Sequence, residues 1–192
     1  MPALTLNAPT TALVLIDLQH GIVARPAAPY ASSAVIDRAA KLAAAFRAAG
    51  SLVVLVRVLY SPDNADRLLQ SADAAPPVVP LPPDFGAIVP ELGPQSGDVV
   101  ITKRQWGAFY GTELDLQLRR RAIHTLVLGG IATNFGVEST ARDGWERGYE
   151  LVFAEDVTSA LTAEAHQFAF STIFPRLGMV RKSEEILAAM RR

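Results

Sequence analysis

Three groups that could carry out chemistry each follow a short apolar run of the kind that forms a buried strand. Asp17 follows residues 12–16 in the stretch LVLIDLQHG, and Lys103 follows residues 98–102 in VVITKRQWGAF. The stretch GGIATNFGVEST, residues 129–140, leads from a third run into the start of a helix. Together, a carboxylate, an ammonium group and the N–H groups of a helix start supply an acid or base, its electrostatic partner and an anion cradle.

The order of the predicted elements explains why these groups should meet. The clearest apolar runs are continuous, which is typical of parallel strands covered on both faces, and they are residues 12–16, 52–58 and 125–131. Weaker runs lie at 98–102, 150–154 and 178–181, and helical patterns at 33–49, 112–121, 137–147, 162–174 and 184–191. This alternation predicts a doubly wound α/β sheet in one domain, residues 1–192. In such sheets ligands bind beyond the carboxyl ends of the strands, which is where the three groups fall.

The turn in GGIATNFGVEST has the form of a nucleophile site, but it holds Gly136, and the chain contains no cysteine. Thiolate catalysis and thiolate metal sites are therefore excluded. Ser139 and Thr140 are alternative nucleophiles, although both fall inside the predicted helix and no G-x-S-x-G elbow is present. The sequence favours chemistry that uses Asp17, Lys103, water and backbone N–H groups.

Composition and the missing motifs argue against several other classes of protein. The net charge is -1, so there is no electrostatic reason to expect nucleic acid or a membrane surface as a partner. Dinucleotide and P-loop fingerprints are absent and the three histidines lack metal-ligand spacing, so we expect neither a cofactor nor a metal. His20 could line a pocket, whereas His124 should lie at the wrong edge of the sheet. Without a signal peptide or a spanning apolar run, the expected location is cytoplasmic.

One segment, residues 60–97, interrupts the alternation of strands and helices. It contains eight of the 13 prolines and shows little periodicity. Loops of this length are usually functional or mobile, so we interpret the segment as a lid or an interface arm. A packed surface excursion explains the same composition equally well.

Nearly the whole chain resembles the isochorismatase-like hydrolase superfamily, which includes isochorismatases, nicotinamidases, N-carbamoylsarcosine amidases and related cysteine hydrolases. The resemblance rests on ALVLIDLQHG, on PELGPQSGDVVITKRQWGAFYGTELDLQLRRRAIHTLVLGGIATN and on GVESTARDGWERGYELVFAEDVTSA. It implies a three-layer doubly wound α/β fold with a six-stranded parallel sheet flanked by helices. It also implies a homo-oligomer, either a dimer or a tetramer.

The resemblance further assigns roles to particular residues. The superfamily's catalytic set is Asp, Lys and Cys; Asp17 and Lys103 match the first two, and Gly136 stands at the third. A cis peptide bond is implied between Ile131 and Ala132, with the N–H groups of Ala132 and Gly136 forming an oxyanion cradle. The aromatic rings after Lys103 either pack the loop against the core or line a small-ligand pocket, and we favour the pocket. The predicted substrate-binding residues are Gln19, Trp106, Phe109, Ile131, Ala132, Asn134 and Phe135.

The departures from the family pattern narrow the predicted chemistry. Because the D-x-H motif of the nicotinamidase branch is absent, that branch and its metal are disfavoured. Without the cysteine no acyl-enzyme can form. True isochorismatases resemble this chain in having a small residue at the turn, and they cleave a vinyl ether without a covalent intermediate. We therefore expect a hydrolase of isochorismate or a similar small metabolite, with Asp17 as general acid. A non-catalytic binding protein and a water-dependent amidase are the alternatives.

Overall fold

The computed structural model describes residues 4–74 and 80–190. Its strands are β1 (Thr11–Ile16), β2 (Leu52–Val58), β3 (Val99–Lys103), β4 (Thr125–Ile131), β5 (Glu150–Ser159) and β6 (Met179–Arg181). Its α-helices are α1 (His20–Val23), α2 (Ser32–Ala48), α3 (Leu114–Arg120), α4 (Glu138–Glu146), α5 (Ala163–Phe168), α6 (Phe174–Leu177) and α7 (Ser183–Met190). Two π-helical segments, Thr133–Val137 and Ala169–Ile173, precede α4 and α6.

The six strands form one sheet in the order β3-β2-β1-β4-β5-β6, and every neighbouring pair is parallel. Alternate residues of each central strand face opposite sides, so the sheet has two apolar cores. Helices α2 and α7 cover one face, and α3, α4 and α6 cover the other. The predicted three-layer α/β fold with a six-stranded parallel sheet is confirmed. None of the helices within the described residues is long and apolar enough to cross a membrane.

The elements differ from the predictions mainly in the last third of the chain. Strand β5 runs five residues beyond its predicted end, and its pairing with β4 shifts register between Leu128 and Gly130. The helix that was expected to stop before Pro175 continues through a π-helical segment into α6, with the proline in its first turn. The hydrogen-bond spacing widens just before the proline, since the N–H of Phe174 donates to the carbonyl oxygen of Ala169, five residues earlier. Helix α1 was not predicted.

The proline-rich segment is packed against the protein over part of its length. Val89 donates its N–H to the carbonyl of Leu18, and the side chains of Phe85, Val89 and Leu92 are buried. Residues 80–92 therefore behave as the packed excursion that the sequence left open. The lid interpretation also covered residues 75–79, which lie outside the described residues.

Strands β1 and β4 approach each other closely at their carboxyl ends. Gly130 has a φ of +120°, and a Cβ atom there would lie 2.1 Å from the carbonyl oxygen of Ile16. Any side chain at this position would force the two backbones apart. The glycine therefore lets β4 lie directly beside the residue that precedes Asp17.

We expect Gly130→Ala to destabilise the fold by roughly 3 kcal/mol or more, since it adds a backbone clash to a left-handed conformation. Gly50→Ala is the matched control, because Gly50 also has a positive φ (+73°) but nothing lies within 4 Å of its added Cβ. The control should cost only the conformational strain of about 1–2 kcal/mol. Urea denaturation measures both, and equal losses would show that the contact with Ile16 is unimportant.

Candidate active site

The sheet order brings the three predicted groups to one edge. Asp17 follows β1 at the centre of the sheet, Lys103 ends β3, and the turn with Gly136 follows β4. The backbone turns sharply at Asp17, whose φ is +53°. A left-handed conformation costs roughly 1–2 kcal/mol for most residues, and Asp is among the side chains that tolerate it best. The strain lies at the residue expected to carry the chemistry, which is where such strain is commonly found.

Asp17 and Lys103 form a buried ion pair. The Nζ atom of Lys103 lies 2.7 Å from Oδ2 of Asp17, and the Lys103 and Asp17 side chains are 2% and 8% exposed respectively. Lys103 stands on β3, so its side chain spans the end of β2 to reach Asp17. The ammonium also donates to the carbonyl oxygen of Gln105 at 3.1 Å. An ammonium has three N–H donors, so one remains for a substrate oxygen or water.

The protonation of Asp17 is set by two opposing effects. Burial disfavours the charged carboxylate and raises its pKa from 3.8 to about 6, although the charge and hydrogen bond of Lys103 act in the opposite direction. Burial thus outweighs the effect of the adjacent ammonium. Both protonation states of Asp17 are populated around pH 6.

The raised pKa also fixes how Asp17 affects folding. The folded protein binds this proton more tightly than the unfolded chain, whose carboxyl has the ordinary pKa of 3.8. The contribution of Asp17 to stability is therefore greatest below pH 3.8 and is lost as the pH rises to about 6. At neutral pH the site keeps a charge that burial disfavours.

The turn after β4 places the backbone of Gly136 against the ion pair. A Cβ atom at Gly136 would lie 3.2 Å from Oδ2 of Asp17, 2.9 Å from Cγ2 of Ile16 and 3.4 Å from the carbonyl oxygen of Trp106. The peptide bond between Ile131 and Ala132 is cis, as the family resemblance implied. The carbonyl oxygen of Ala132 accepts hydrogen bonds from the N–H groups of Phe135 and Val137, both at 3.2 Å. The turn is thus wide and closes on itself, so that Gly136 faces Asp17.

Aromatic rings lie beside this turn. The ring of Trp106 packs against that of Phe135 with 4.9 Å between centroids, and Trp106 is 62% exposed. Gln105 holds the loop in place by donating to the carbonyl oxygens of Gly107 and Tyr110. Trp106 and Phe135 are therefore suited to form the outer wall of a site over Gly136.

Three of the predicted substrate-binding side chains belong to the scaffold. Gln19 is buried, donates to the carbonyl oxygens of Val58 and Phe85 and accepts the Val58 N–H at 2.7 Å. Phe109 stacks on Tyr149 in the core, so the core-packing interpretation holds for this ring rather than the pocket interpretation. Ile131 is buried in the core on the other face of the sheet. These three side chains support the site from below and do not line it, because the amide of Gln19 is hydrogen-bonded to backbone and the other two side chains are packed in the core.

Unpartnered polar atoms mark where a ligand would bind. Within residues 4–74 and 80–190, the buried side-chain atoms without a hydrogen-bond partner are Oδ1 of Asp17, Oδ1 of Asn134 and Nη1 of Arg67. A buried polar atom left unpaired costs about 1–3 kcal/mol. All three belong to segments that follow strands at the same edge of the sheet. The described residues thus leave two acceptors and one cationic donor unpaired in the segments that follow β1, β2 and β4.

Arg67 was not among the predicted site residues. Its guanidinium lies 5.0 Å from the ring centroid of Tyr60, the second residue after β2. Burial raises the pKa of Tyr60. The charge of Arg67 lowers this pKa and the charge of Asp17 raises it, so Tyr60 lies within electrostatic range of both groups. Asp66, the residue before Arg67, forms an ion pair with Arg104, which directly follows β3. The only sequence signal for Arg67 was its place in the segment suspected of covering the site.

His20 and His124 lie away from the site. His20 lines an open groove of ≈ 600 Å³ beside α1 and pairs with Asp84 at 2.9 Å, and neither Asp17 nor Lys103 borders this groove. His124 precedes β4 at the opposite edge of the sheet, where the sequence placed it. Across the described ranges no group of three or more His, Cys, Asp or Glu side chains could hold a metal ion.

Comparison with known proteins identifies the family. The isochorismatase domain model matches residues 11–185. The chain belongs to the isochorismatase family. It is 54% identical over 187 residues to the isochorismatase family protein YecD of Escherichia coli O157:H7, covering 97% of this chain and 100% of that protein. An isochorismatase family structure from Burkholderia thailandensis shares 49% identity with a TM-score of 0.93, covering 98% of both chains.

The family includes amide hydrolases as well as isochorismatases. The ureidoacrylate amidohydrolase RutB of Methylorubrum extorquens is 35% identical over 175 residues, which cover 79% of this chain and 71% of RutB. Membership of the isochorismatase family and this likeness establish the chain as a hydrolase of the family.

We expect Lys103→Met to raise the pKa of Asp17 above about 6, because the charge and hydrogen bond that lower it are removed. Carboxyl carbon NMR across a pH titration measures the change. Lys41→Met, a substitution on the exposed side of α2, is the control and should leave the Asp17 titration unchanged. A Lys103→Met protein whose Asp17 titrates as in the wild type would show that the pair is not electrostatically coupled.

Proposed function

We propose that this isochorismatase family member hydrolyses a small carboxylated enol ether, with isochorismate as the nearest known example, without a covalent intermediate. The observation that carries the proposal is the carboxyl of Asp17, with one oxygen held by Lys103 and the other buried without a partner among the described residues. Asp17, Lys103 and Gly136 form the catalytic set. The backbone of Ala132, the side chain of Asn134 and the rings of Trp106 and Phe135 border the substrate.

The two oxygens of Asp17 have different roles. Oδ2 accepts the hydrogen bond of Lys103, so the proton of the neutral acid resides on Oδ1. Since Oδ1 has no partner in the described part of the chain, it can donate to the enol carbon of a substrate. Protonation of that carbon produces an oxocarbenium ion. Water then adds to the ion and gives a proton back to the carboxylate of Asp17, and the neutral hemiketal splits into a ketone and a diol as its hydroxyl proton passes to the leaving alcohol oxygen.

Gly136 lets the backbone of the turn lie against the carboxyl of Asp17. A Cβ at this position would press on Ile16, a fully buried residue, so a side chain fits only if Ile16 shifts. With hydrogen alone at position 136, the backbone N–H groups of the turn stay close to the carboxyl of Asp17. The backbone cradle of Ala132 and Gly136 would then bind a substrate oxygen.

Arg67 suggests that the substrate is an anion. Its guanidinium nitrogen Nη1 is buried without a partner in residues 4–74 and 80–190, and such a group pairs naturally with a carboxylate, to which it can donate two parallel hydrogen bonds. The free donor of Lys103 supplies a second contact. Isochorismate carries carboxylates and a vinyl ether, so its chemistry suits both the cations and the acid.

Amide hydrolysis by activated water is the second candidate, and the likeness to RutB favours it. In that reaction the ionised carboxylate of Asp17 would remove a proton from water, and the cradle would bind the developing oxyanion. The two candidates require opposite protonation states of the same residue. They can therefore be separated by pH.

We expect isochorismate hydrolysis to be fastest at low pH and to fall as the pH rises through about 6, because only protonated Asp17 can act as the acid. Asp17→Asn should lower kcat/KM by roughly a hundred- to ten-thousandfold. Asp37→Asn, an exposed substitution on α2, is the matched control and should retain full activity. Initial rates with isochorismate, ureidoacrylate and N-carbamoylsarcosine measure the specificity.

The outcomes of this assay separate the candidate functions. A rate that rises with pH on an amide would support the water-dependent amidase. Equal activity of wild type and Asp17→Asn would remove the acid role from Asp17. A wild-type protein that binds these compounds without converting any of them would contradict both catalytic candidates and favour a binding protein.

We expect Arg67→Met to raise KM for a carboxylated substrate roughly ten- to a hundredfold, because a charged hydrogen bond is lost, and to change kcat less. Arg120→Met, in the exposed last turn of α3, is the control. A methyl ester of the same substrate should bind wild type and Arg67→Met equally. A KM that is unchanged for the free acid would show that Arg67 does not face the substrate.

The predicted homo-oligomer and cytoplasmic location belong to this proposal. The exposed rings of Trp106 and Tyr110 lie in the loop that borders the site, and burial of such rings against a second subunit would cover apolar surface. Analytical ultracentrifugation would establish whether the chain is a dimer, a tetramer or a monomer.

A further inference from the structure

A second buried network lies behind the turn that carries Gly136. His166 on α5 is 2% exposed, and its Nδ1 atom lies 2.9 Å from the hydroxyl oxygen of Thr133, the first residue of that turn. Its Nε2 atom lies 3.4 Å from Oε1 of Glu155. The rings of Tyr30 and Phe170 pack around the imidazole with centroid distances of 6.0 and 4.5 Å. The ring is thus held on both nitrogens and on its sides.

Glu155 at the far end of this network is ionised. It lies where the pairing of β4 and β5 shifts register, which turns its side chain toward α5. Burial alone would raise its pKa, but hydrogen bonds from His166, Lys182 and Tyr30 bring the pKa down to about 2. The hydroxyl of Tyr30 donates to both carboxylate oxygens at 3.0 and 3.1 Å. A carboxylate in this state can only accept hydrogen bonds.

These partners determine the tautomer of His166. Because the carboxylate of Glu155 only accepts, Nε2 of the ring must carry the proton that it donates. In the neutral ring Nδ1 is then the acceptor, and the hydroxyl of Thr133 must donate to it. The hydroxyl and the imidazole therefore each have a single orientation that satisfies all three groups.

The arrangement has the connectivity of a hydroxyl–histidine–carboxylate triad, but it does not supply a nucleophile. Thr133 is fully buried, and its hydroxyl points at His166 rather than at Asp17. Its backbone, however, starts the wide turn that closes on the carbonyl oxygen of Ala132 and brings Gly136 against Asp17.

We propose that His166 is a positioning residue that fixes the turn of Thr133–Val137 through the hydroxyl of Thr133, with Glu155 selecting the ring tautomer. The inference rests on the proposed function only in assigning this turn to the active site. Displacement of the Gly136 backbone would alter the space between it and Asp17. Misplacement by about 1 Å can slow a reaction roughly a hundredfold.

Nitrogen-15 NMR of the imidazole groups in the intact protein tests the tautomer without a substrate. We expect the signals of His166 to show a proton on Nε2 and an accepting Nδ1, and the exposed His124 provides the comparison within the same protein. A His166 signal with the proton on Nδ1 would overturn the proposal.

Thr133→Val and Thr133→Ser test the coupling to the turn. Valine keeps the shape but removes the hydroxyl, so we expect the tautomer signal of His166 to change and the backbone amide signal of Gly136 to shift. Serine keeps the hydroxyl, so both signals should stay close to those of the wild type. If Thr133→Val leaves the Gly136 amide unmoved, or if serine shifts it as far as valine does, the hydroxyl does not position the turn.

Turnover separates this inference from the proposed function. On isochorismate, kcat of Thr133→Val should fall roughly ten- to a hundredfold with the Asp17 pH profile retained, whereas Thr133→Ser should remain active. Full activity of Thr133→Val would overturn the positioning role. Shifted NMR signals in a protein that hydrolyses none of the compounds would contradict the proposed function and leave the link between His166 and the turn intact.

Discussion

The buried ion pair between Asp17 and Lys103 is the constraint on which the rest of the site depends. Burial disfavours the charge on the carboxylate more strongly than the ammonium favours it, and the pKa of Asp17 consequently rises to about 6. Only one carboxyl oxygen is bound by Lys103, and the other is left without a partner among the described residues. A buried charge that is incompletely solvated by the protein is an unfavourable arrangement for stability alone, so a ligand best explains it.

The geometry of β4 and of the turn that follows brings backbone against the ion pair. Gly130 allows β4 to approach the backbone of Ile16, and Gly136 allows the following turn to approach Asp17. A side chain at Gly130 would clash with backbone, and a side chain at Gly136 would require the packed Ile16 to shift. The turn therefore places backbone, and no side chain of residue 136, beside Asp17. The side chains nearest to the turn are the carboxyl of Asp17, the ammonium of Lys103 and the rings of Trp106 and Phe135.

Family membership and local chemistry answer different questions about this protein. The isochorismatase family fixes the fold and the hydrolase class, and it contains enzymes with different substrates. The protonation state of Asp17 decides between acid-catalysed cleavage of an enol ether and base-assisted attack on an amide. In the proposed function Arg67 favours an anionic substrate, because its buried guanidinium nitrogen has no protein partner in the described part of the chain.

The sequence by itself determined the sheet and its chemical edge. Continuous apolar runs that alternate with helical patterns specify parallel strands, and parallel strands bring Asp17, Lys103 and the Gly136 turn to one edge whatever the side-chain packing. It also determined the absence of a thiol.

Only the tertiary structure decided which neighbouring side chains face the site. Gln19 follows β1 and Phe109 follows β3, but the side chain of Gln19 is hydrogen-bonded to backbone and that of Phe109 is packed in the core. Arg67 belongs to the proline-rich segment, where no sequence pattern indicated that its side chain would be buried. His166 meets Thr133 across 33 residues of chain. Contacts of this kind depend on how loops and helices pack over the sheet. Residue spacing along the chain does not predict that packing.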